Sequence, residues 1–248
     1  KGQTQMENEA VGKSIIIVAG EASGDMHGAS LVREMLKINP ALRFYGIGGG
    51  RLKEAGVELI ADAAQIAVVG LTEVLSKLGN FLRIIRNLKN KFDELKPSLV
   101  ILIDFPDFNL NIAARFAKKR RIKVFYYISP QVWAWRKGRI SQIKKLVDKM
   151  AVVLPFEVDV YGDRGFNVDY VGHPLLDVVK TRFSAREEAR RNFCLEENKI
   201  TIGLLPGSRT AEAKRLLPEM LKAASMISER IPEAQYLLPL AETLAEKQ

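Results

Sequence analysis

Two acidic residues stand where short apolar runs give way to stiffened loops. Glu21 follows Ser14–Ala19 in SIIIVAGEASGD, and Asp104 follows Leu99-Val100-Ile101-Leu102-Ile103 in a loop held by Pro106. A carboxylate at the end of a buried strand suits proton removal from a hydroxyl, which is a poor nucleophile at neutral pH until a base takes its proton in the transition state. Asp104 could instead cap the helix predicted to begin near Leu110, but Asp107 and Asn109 lie closer to that start and suit the cap better. Gly207-Ser208-Arg209, ahead of another predicted helix, offers the complementary chemistry. A glycine that permits close approach, a hydroxyl and a forked guanidinium beside a helix N-terminus can grip a phosphate group.

Other candidates point to structure. Gly20–Gly24 lacks GxGxxG spacing, no GxxxxGK[ST] occurs, and Gly46 with Gly48 to Gly50 reads as a tight turn. His173, next to Pro174, reads as a hinge or packing residue. Trp133 and Trp135 alternate, so one is expected on the core while the other lines a cleft.

These loops need a scaffold. Strands are predicted at Ser14–Ala19, Arg43–Ile47, Ser98–Ile103, Lys123–Ile128, Met150–Val153 and Val168–Val171, with a helix from Asp25 to about Asn39-Pro40 and another near Arg51–Ala55. Near-continuous apolar strands belong to a parallel sheet covered on both faces, hence an α/β, Rossmann-like doubly wound domain. Ligands of such sheets sit beyond the carboxyl ends of the strands. The pattern breaks at Gly172-His173-Pro174, and a second Rossmann-like unit opens near Ile200 with a helix at Ala211–Arg230 and a strand at Gln235–Leu238. The expected organisation is a tail over 1–12, a first domain over 13–178, and a linker with an incomplete second domain over 179–248. Lys1–Gln5 reads as a non-native extension, with Met6 as the start.

Composition narrows the function classes. The 248 residues are 47% hydrophobic and can bury a large core. One cysteine, Cys194, and two histidines argue against disulfides and zinc sites. No secretory signal or membrane-spanning run is visible, which predicts a cytoplasmic chain. A net charge of +9 calls for an acidic partner: nucleic acid, phosphorylated small molecules or an anionic membrane surface. Lys118-Lys119-Arg120-Arg121 closes a predicted helix, where cations offset the macrodipole, and no nucleic-acid module accompanies it, so no nucleic-acid partner is expected. In Val68–Leu88, Val68, Leu71, Val74, Leu75, Leu78, Phe81, Leu82 and Ile85 recur at helical spacing, beside Arg83, Arg86, Lys89 and Lys91. This stretch suits either a core-facing helix or contact with a membrane or acyl chains.

AGEASGD, DxPDFN, SPxVWAWR, LPFE, GHP and LPGSR occur in that order, and with them the chain closely resembles the lipid-A-disaccharide synthases from about Ser14 to Leu240. These are inverting glycosyltransferases of the two-domain GT-B architecture. The resemblance implies transfer of 2,3-diacylglucosamine from UDP to 2,3-diacylglucosamine 1-phosphate, forming a β-1,6-linked disaccharide 1-phosphate and UDP. It implies no cofactor and no metal, an acceptor site on the N-terminal domain, a sugar-nucleotide site on the C-terminal one, and a peripheral location on the inner face of the inner membrane. Asp104 matches the family's proposed base, with Glu21 as an orienting or second acidic group. Gly207, Ser208 and Arg209 fall to the donor; Ser23, Gly24, Asp25, Gln131 and Trp133 fall to the acceptor. The family's later C-terminal motifs have no counterpart before Gln248. The alternatives are a UDP-N-acetylglucosamine 2-epimerase or other UDP-sugar enzyme, against which SPxVWAWR and DxPDFN argue, and a non-catalytic lipid-phosphate-binding module.

Overall fold

The computed structural model describes residues 12–67, 74–134, 138–179, 182–208, 210–241 and 244. The chain divides into two compact units between Val178 and Val179.

In the first unit, strands β1 (Ser14–Ala19), β2 (Arg43–Gly48), β3 (Val57–Asp62), β4 (Leu99–Ile103), β5 (Lys123–Tyr127), β6 (Lys149–Val152) and β7 (Asp169–Tyr170) form a parallel sheet in the order β3-β2-β1-β4-β5-β6-β7. Period-two alternation feeds both faces. Ile16, Val18, Val100, Leu102, Val124 and Tyr126 enter one buried cluster, while Ile15, Ile17, Ala19, Ile101 and Ile103 enter the other. Sequence order reverses between β1 and β4, where Ala19 pairs with Ile103, so the loops carrying Glu21 and Asp104 leave the sheet side by side. Ligands of open α/β sheets bind at such a switch point.

Strand β3 was not among the predicted strands. It is an edge strand whose exposed Glu58 and Asp62 interrupt the apolar run expected of a covered strand. The first helix begins at Ala22, earlier than the Asp25 expected from the glycines, and runs to Ile38. Gly24 lies inside its first turn and is buried against the strand ends, a Cβ there lying at ordinary contact distance, 3.4 Å, from both Ala19 and Ile103. Gly48 and Gly50 bracket a direct junction from β2 into the helix Gly50–Glu54 rather than a free turn.

Of the amphipathic stretch, Val68 and Leu71 and the side chains of Val74, Leu75 and Leu78 lie outside the described residues. Helix Val74–Leu95 sends Ile84, Leu88 and Phe92 into the core, with Phe81 and Ile85 packed against it, and exposes Leu82, Arg83, Arg86 and Lys89. The Lys91 ammonium lies 3.0 Å from Glu94 and 3.8 Å from Glu58. The basic run after Ala117 is largely structural, with Lys118 paired to Asp148, and Arg120 to Asp93 and over the rings of Phe92 and Phe116.

In the second unit, helix Arg186–Asn192 precedes β8 (Thr201–Gly203), helix Thr210–Arg230 and β9 (Gln235–Leu237), with β8 and β9 parallel. This is one βαβ unit. Among the described residues no helix is long and apolar enough to cross a membrane.

Candidate active site

The crevice between the β1 and β4 loops is built by a close approach and an unusual turn. Gly20 must lack a side chain, because a Cβ there would sit 2.2 Å from the Phe105 ring. Asp104 and Phe105 are consecutive left-handed residues, at φ +48° and +46°. Each costs about 1–2 kcal/mol relative to right-handed backbone, so the turn persists only where its surroundings hold it. Pro106 then opens a short helix, Pro106–Phe108, that passes through a π-helical turn, Asn109–Ala113, into helix Ala114–Lys119.

The holding groups are buried. The Asp104 carbonyl accepts from the Asn109 side-chain amide at 2.6 Å and from the Tyr126 hydroxyl at 2.7 Å. Asn109 also donates to the Ile103 carbonyl at 3.2 Å. Asn109 is thus a tie on the end of β4 rather than the helix cap expected from its position. Asp107 lies within the first turn and accepts an ion-pair bond from Arg139. Burial, and then the Asp104 charge, push the Tyr126 phenol far above its ordinary range, so it stays a donor.

The Asp104 carboxylate itself meets the first turn of helix Ala22–Ile38, its Oδ2 accepting from the Ser23 hydroxyl at 3.3 Å. Glu21 caps helix Ala22–Ile38 by position, its backbone extended, and its exposed side chain makes no cap bond. The crevice therefore carries a half-buried carboxylate, a hydroxyl in contact with it, and the start of a helix whose N–H groups favour anions.

Two acceptor candidates do other work. Asp25 is only 7% exposed, and its carboxylate accepts from the N–H groups of Gly49 at 2.6 Å, Arg51 at 3.0 Å and Leu52 at 3.2 Å. It caps helix Gly50–Glu54 from another helix, so its charge is spent on backbone rather than offered to a ligand. Trp133 packs edge-on against Phe156 at 5.1 Å. It lines a pocket of about 180 Å³ with Ile140, Val160, Asp163 and Arg164, not with Asp104 or Ser23. Gln131 is exposed on the same loop, and Trp135 lies outside the described residues.

Sequence reasoning missed several supports. Glu157 of LPFE is buried and accepts from the N–H groups of Val153 and Leu154 at 3.3 and 3.1 Å. The Ser129 and Tyr161 hydroxyls lie 2.7 Å apart, and burial pushes the Tyr161 phenol up to about 12. The two histidines meet edge-on at 6.3 Å, and burial, then the neighbouring His173, lower the His27 pKa. His173 accepts from the Leu175 N–H at 3.2 Å, which fits a packing role. Tyr126 is unmarked in the predicted strand Lys123–Ile128, since nothing in an apolar strand marks a hydroxyl with a distant partner.

On the second unit, Gly207 has φ +102°, and a Cβ there would lie 2.6 Å from the Glu212 carboxylate, so this turn demands glycine. Ser208 is exposed ahead of helix Thr210–Arg230, and Arg209 lies outside the described residues. Among the described residues no cluster of His, Cys, Asp and Glu could hold a metal.

A family model described as lipid-A-disaccharide synthetase matches residues 15–248. The chain is 61% identical over 234 residues to the lipid-A-disaccharide synthase of Syntrophus aciditrophicus, covering 94% of this chain and 61% of that protein. To that of Nitrosococcus oceani it is 53% identical over 241 residues, covering 97% of this chain and 61% of that protein. Among solved structures, a putative UDP-N-acetylglucosamine 2-epimerase from Listeria monocytogenes gives a TM-score of 0.61 at 12% identity, over 95% of this chain and 65% of that one. Anabaena HepE in complex with UDP gives 0.57 at 10% identity, over 95% and 71%. Those two likenesses are of fold alone, the GT-B type of α/β architecture. The chain thus spans about 61% of the length of the curated relatives named, and over that span, with the DxPDFN turn seated at the switch point of its sheet, it belongs to the lipid-A-disaccharide synthetase family.

Proposed function

We propose that the protein, at the length of its relatives, is an inverting glycosyltransferase that joins UDP-2,3-diacylglucosamine to 2,3-diacylglucosamine 1-phosphate and releases UDP. The observation that carries this reading is the Asp104 carboxylate, fixed on a left-handed turn at the switch point and touching Ser23 across the crevice. Asp104 takes the proton of the acceptor hydroxyl as its oxygen attacks the anomeric carbon from the face opposite UDP, which inverts that centre. Ser23 orients the carboxylate, and Glu21 supplies the second acidic group at the crevice rim. The first unit, 13–178, holds the acceptor and the second, from 179, the donor. There Gly207, Ser208 and Arg209 bind the diphosphate, whose charge grows as it leaves.

The acyl chains place the substrates at a membrane surface, so the protein works peripherally on the cytoplasmic face of the inner membrane. Support comes from exposed Leu82 beside Arg83, Arg86 and Lys89, a pattern suited to anionic headgroups. The test is to incubate both substrates with the protein completed to its relatives' length and to follow disaccharide phosphate and UDP together. Stoichiometric appearance of both supports the transferase. An epimerised UDP-sugar with no disaccharide would favour the epimerase, and acceptor binding with no response to UDP in calorimetry would favour the non-catalytic module.

A further inference from the structure

The peptide between Asp104 and Phe105 is the weak point of the candidate site. Both flanking residues have left-handed φ, so the turn returns to ordinary backbone only by rotation about their N–Cα bonds, which at Asp104 swings its side chain as well. Its carbonyl is held by two donors, Asn109 at 2.6 Å and Tyr126 at 2.7 Å, both fully buried. Tyr126 is the penultimate residue of β5, where phenylalanine would fill the same space, so what its hydroxyl adds is polar contact, this bond and an interaction with the Asn109 side chain. A buried hydroxyl costs free energy unless it is paired.

We infer that Tyr126 is a positioning residue for the reaction: its hydroxyl holds the left-handed turn at Asp104 and Phe105 and so keeps the Asp104 carboxylate in the crevice against Ser23. The inference rests on Asp104 being the base. Without the hydroxyl the Asp104 carbonyl loses one of its two buried donors, the turn loosens, and the carboxylate spends part of its time displaced. Displacement of a reacting group by about an ångström can cost up to about a hundredfold in rate.

The test is Tyr126→Phe, which keeps the ring. In the protein completed to its relatives' length, turnover should fall about tenfold, with KM for both substrates within about twofold, since the base acts in the transition state. The acid limb of the turnover profile should also shift, because the carboxyl leaves the Ser23 hydroxyl for part of the time. In the 248-residue chain, the Asp104 carbonyl and carboxyl 13C resonances should move or broaden while those of Asp25 stay fixed. Turnover within twofold of wild type, or unchanged Asp104 resonances, would overturn the inference, and so would a joint collapse of turnover, both KM values and the thermal midpoint. If Asp104→Asn keeps its turnover, the base assignment fails separately, and the resonances alone then decide whether Tyr126 holds the turn.

Discussion

Replacing Asp25 should damage the fold rather than ligand binding, and its size follows from its three bonds. The Leu52 N–H is buried, while those of Gly49 and Arg51 are partly accessible and can turn to water once the carboxylate is gone. Leaving the buried donor unpaired costs about 1–3 kcal/mol, and losing a helix cap costs about 1–2 kcal/mol more, so Asp25→Ala should cost about 2–5 kcal/mol. Against a typical total of about 5–15 kcal/mol this is severe, and at about 2–4 °C per kcal/mol it lowers the thermal midpoint by about 10 °C. Asp25→Asn keeps one acceptor oxygen but turns an NH2 toward the donors, so it should fall between the two. Urea unfolding followed by far-ultraviolet circular dichroism measures the loss. A cost under about 1 kcal/mol, together with weakened acceptor binding in the folded variant, would refute the reasoning and return Asp25 to the ligand site.

Because the folded-state pKa of His27 is lowered below the ordinary 6.5, its neutral form contributes stability that is complete above that value and is lost as pH falls through the lowered one. The urea midpoint should therefore drop on acidification below pH 6.5, and His27→Leu should flatten that drop; parallel pH profiles for the two proteins would contradict it. Arg209→Ala, in the protein of full relative length, should weaken UDP-sugar binding by about 1.5–3 kcal/mol and leave acceptor binding unchanged, as calorimetry can show. Equal loss of both ligands would make Arg209 a structural residue. Changing Leu71, Leu75 and Leu78 to serine should lower binding to anionic vesicles with the circular dichroism unchanged, whereas an unfolded variant would make that face core.

The loops that carry Asp104 and Glu21 were legible because each ends an apolar run that a covered strand explains, whereas the loop of Gly207 follows only the short, partly exposed β8. What residues do across the fold was not legible. Asp25 looks like a ligand group in GEASGD, yet its partners lie 24 to 27 positions later, a distance no local pattern encodes. Asn109 sits where a helix cap belongs, but the π-helical turn swings its amide onto the strand-end carbonyls. Strand β3 escaped because its acidic residues face solvent at the sheet edge, so its pattern is not that of a buried strand. Helix Ala22–Ile38 starts before its glycine, and the close approach that excludes a side chain comes one turn later, at Gly28, where a Cβ would lie 3.0 Å from Ile103 and 3.2 Å from Leu52.

The measurement that bears most directly on the central claim is the turnover of Asp104→Asn, made in the protein completed to its relatives' length, with both substrates saturating. The amide preserves shape and the contact with Ser23 but cannot take the proton. Disaccharide formation should fall about a hundred- to ten-thousandfold while both substrates bind as before, and Glu21→Gln should be slower yet keep the acid limb of its pH profile. Near-normal turnover by Asp104→Asn, with the acid limb lost in Glu21→Gln instead, would contradict the account and make Glu21 the base.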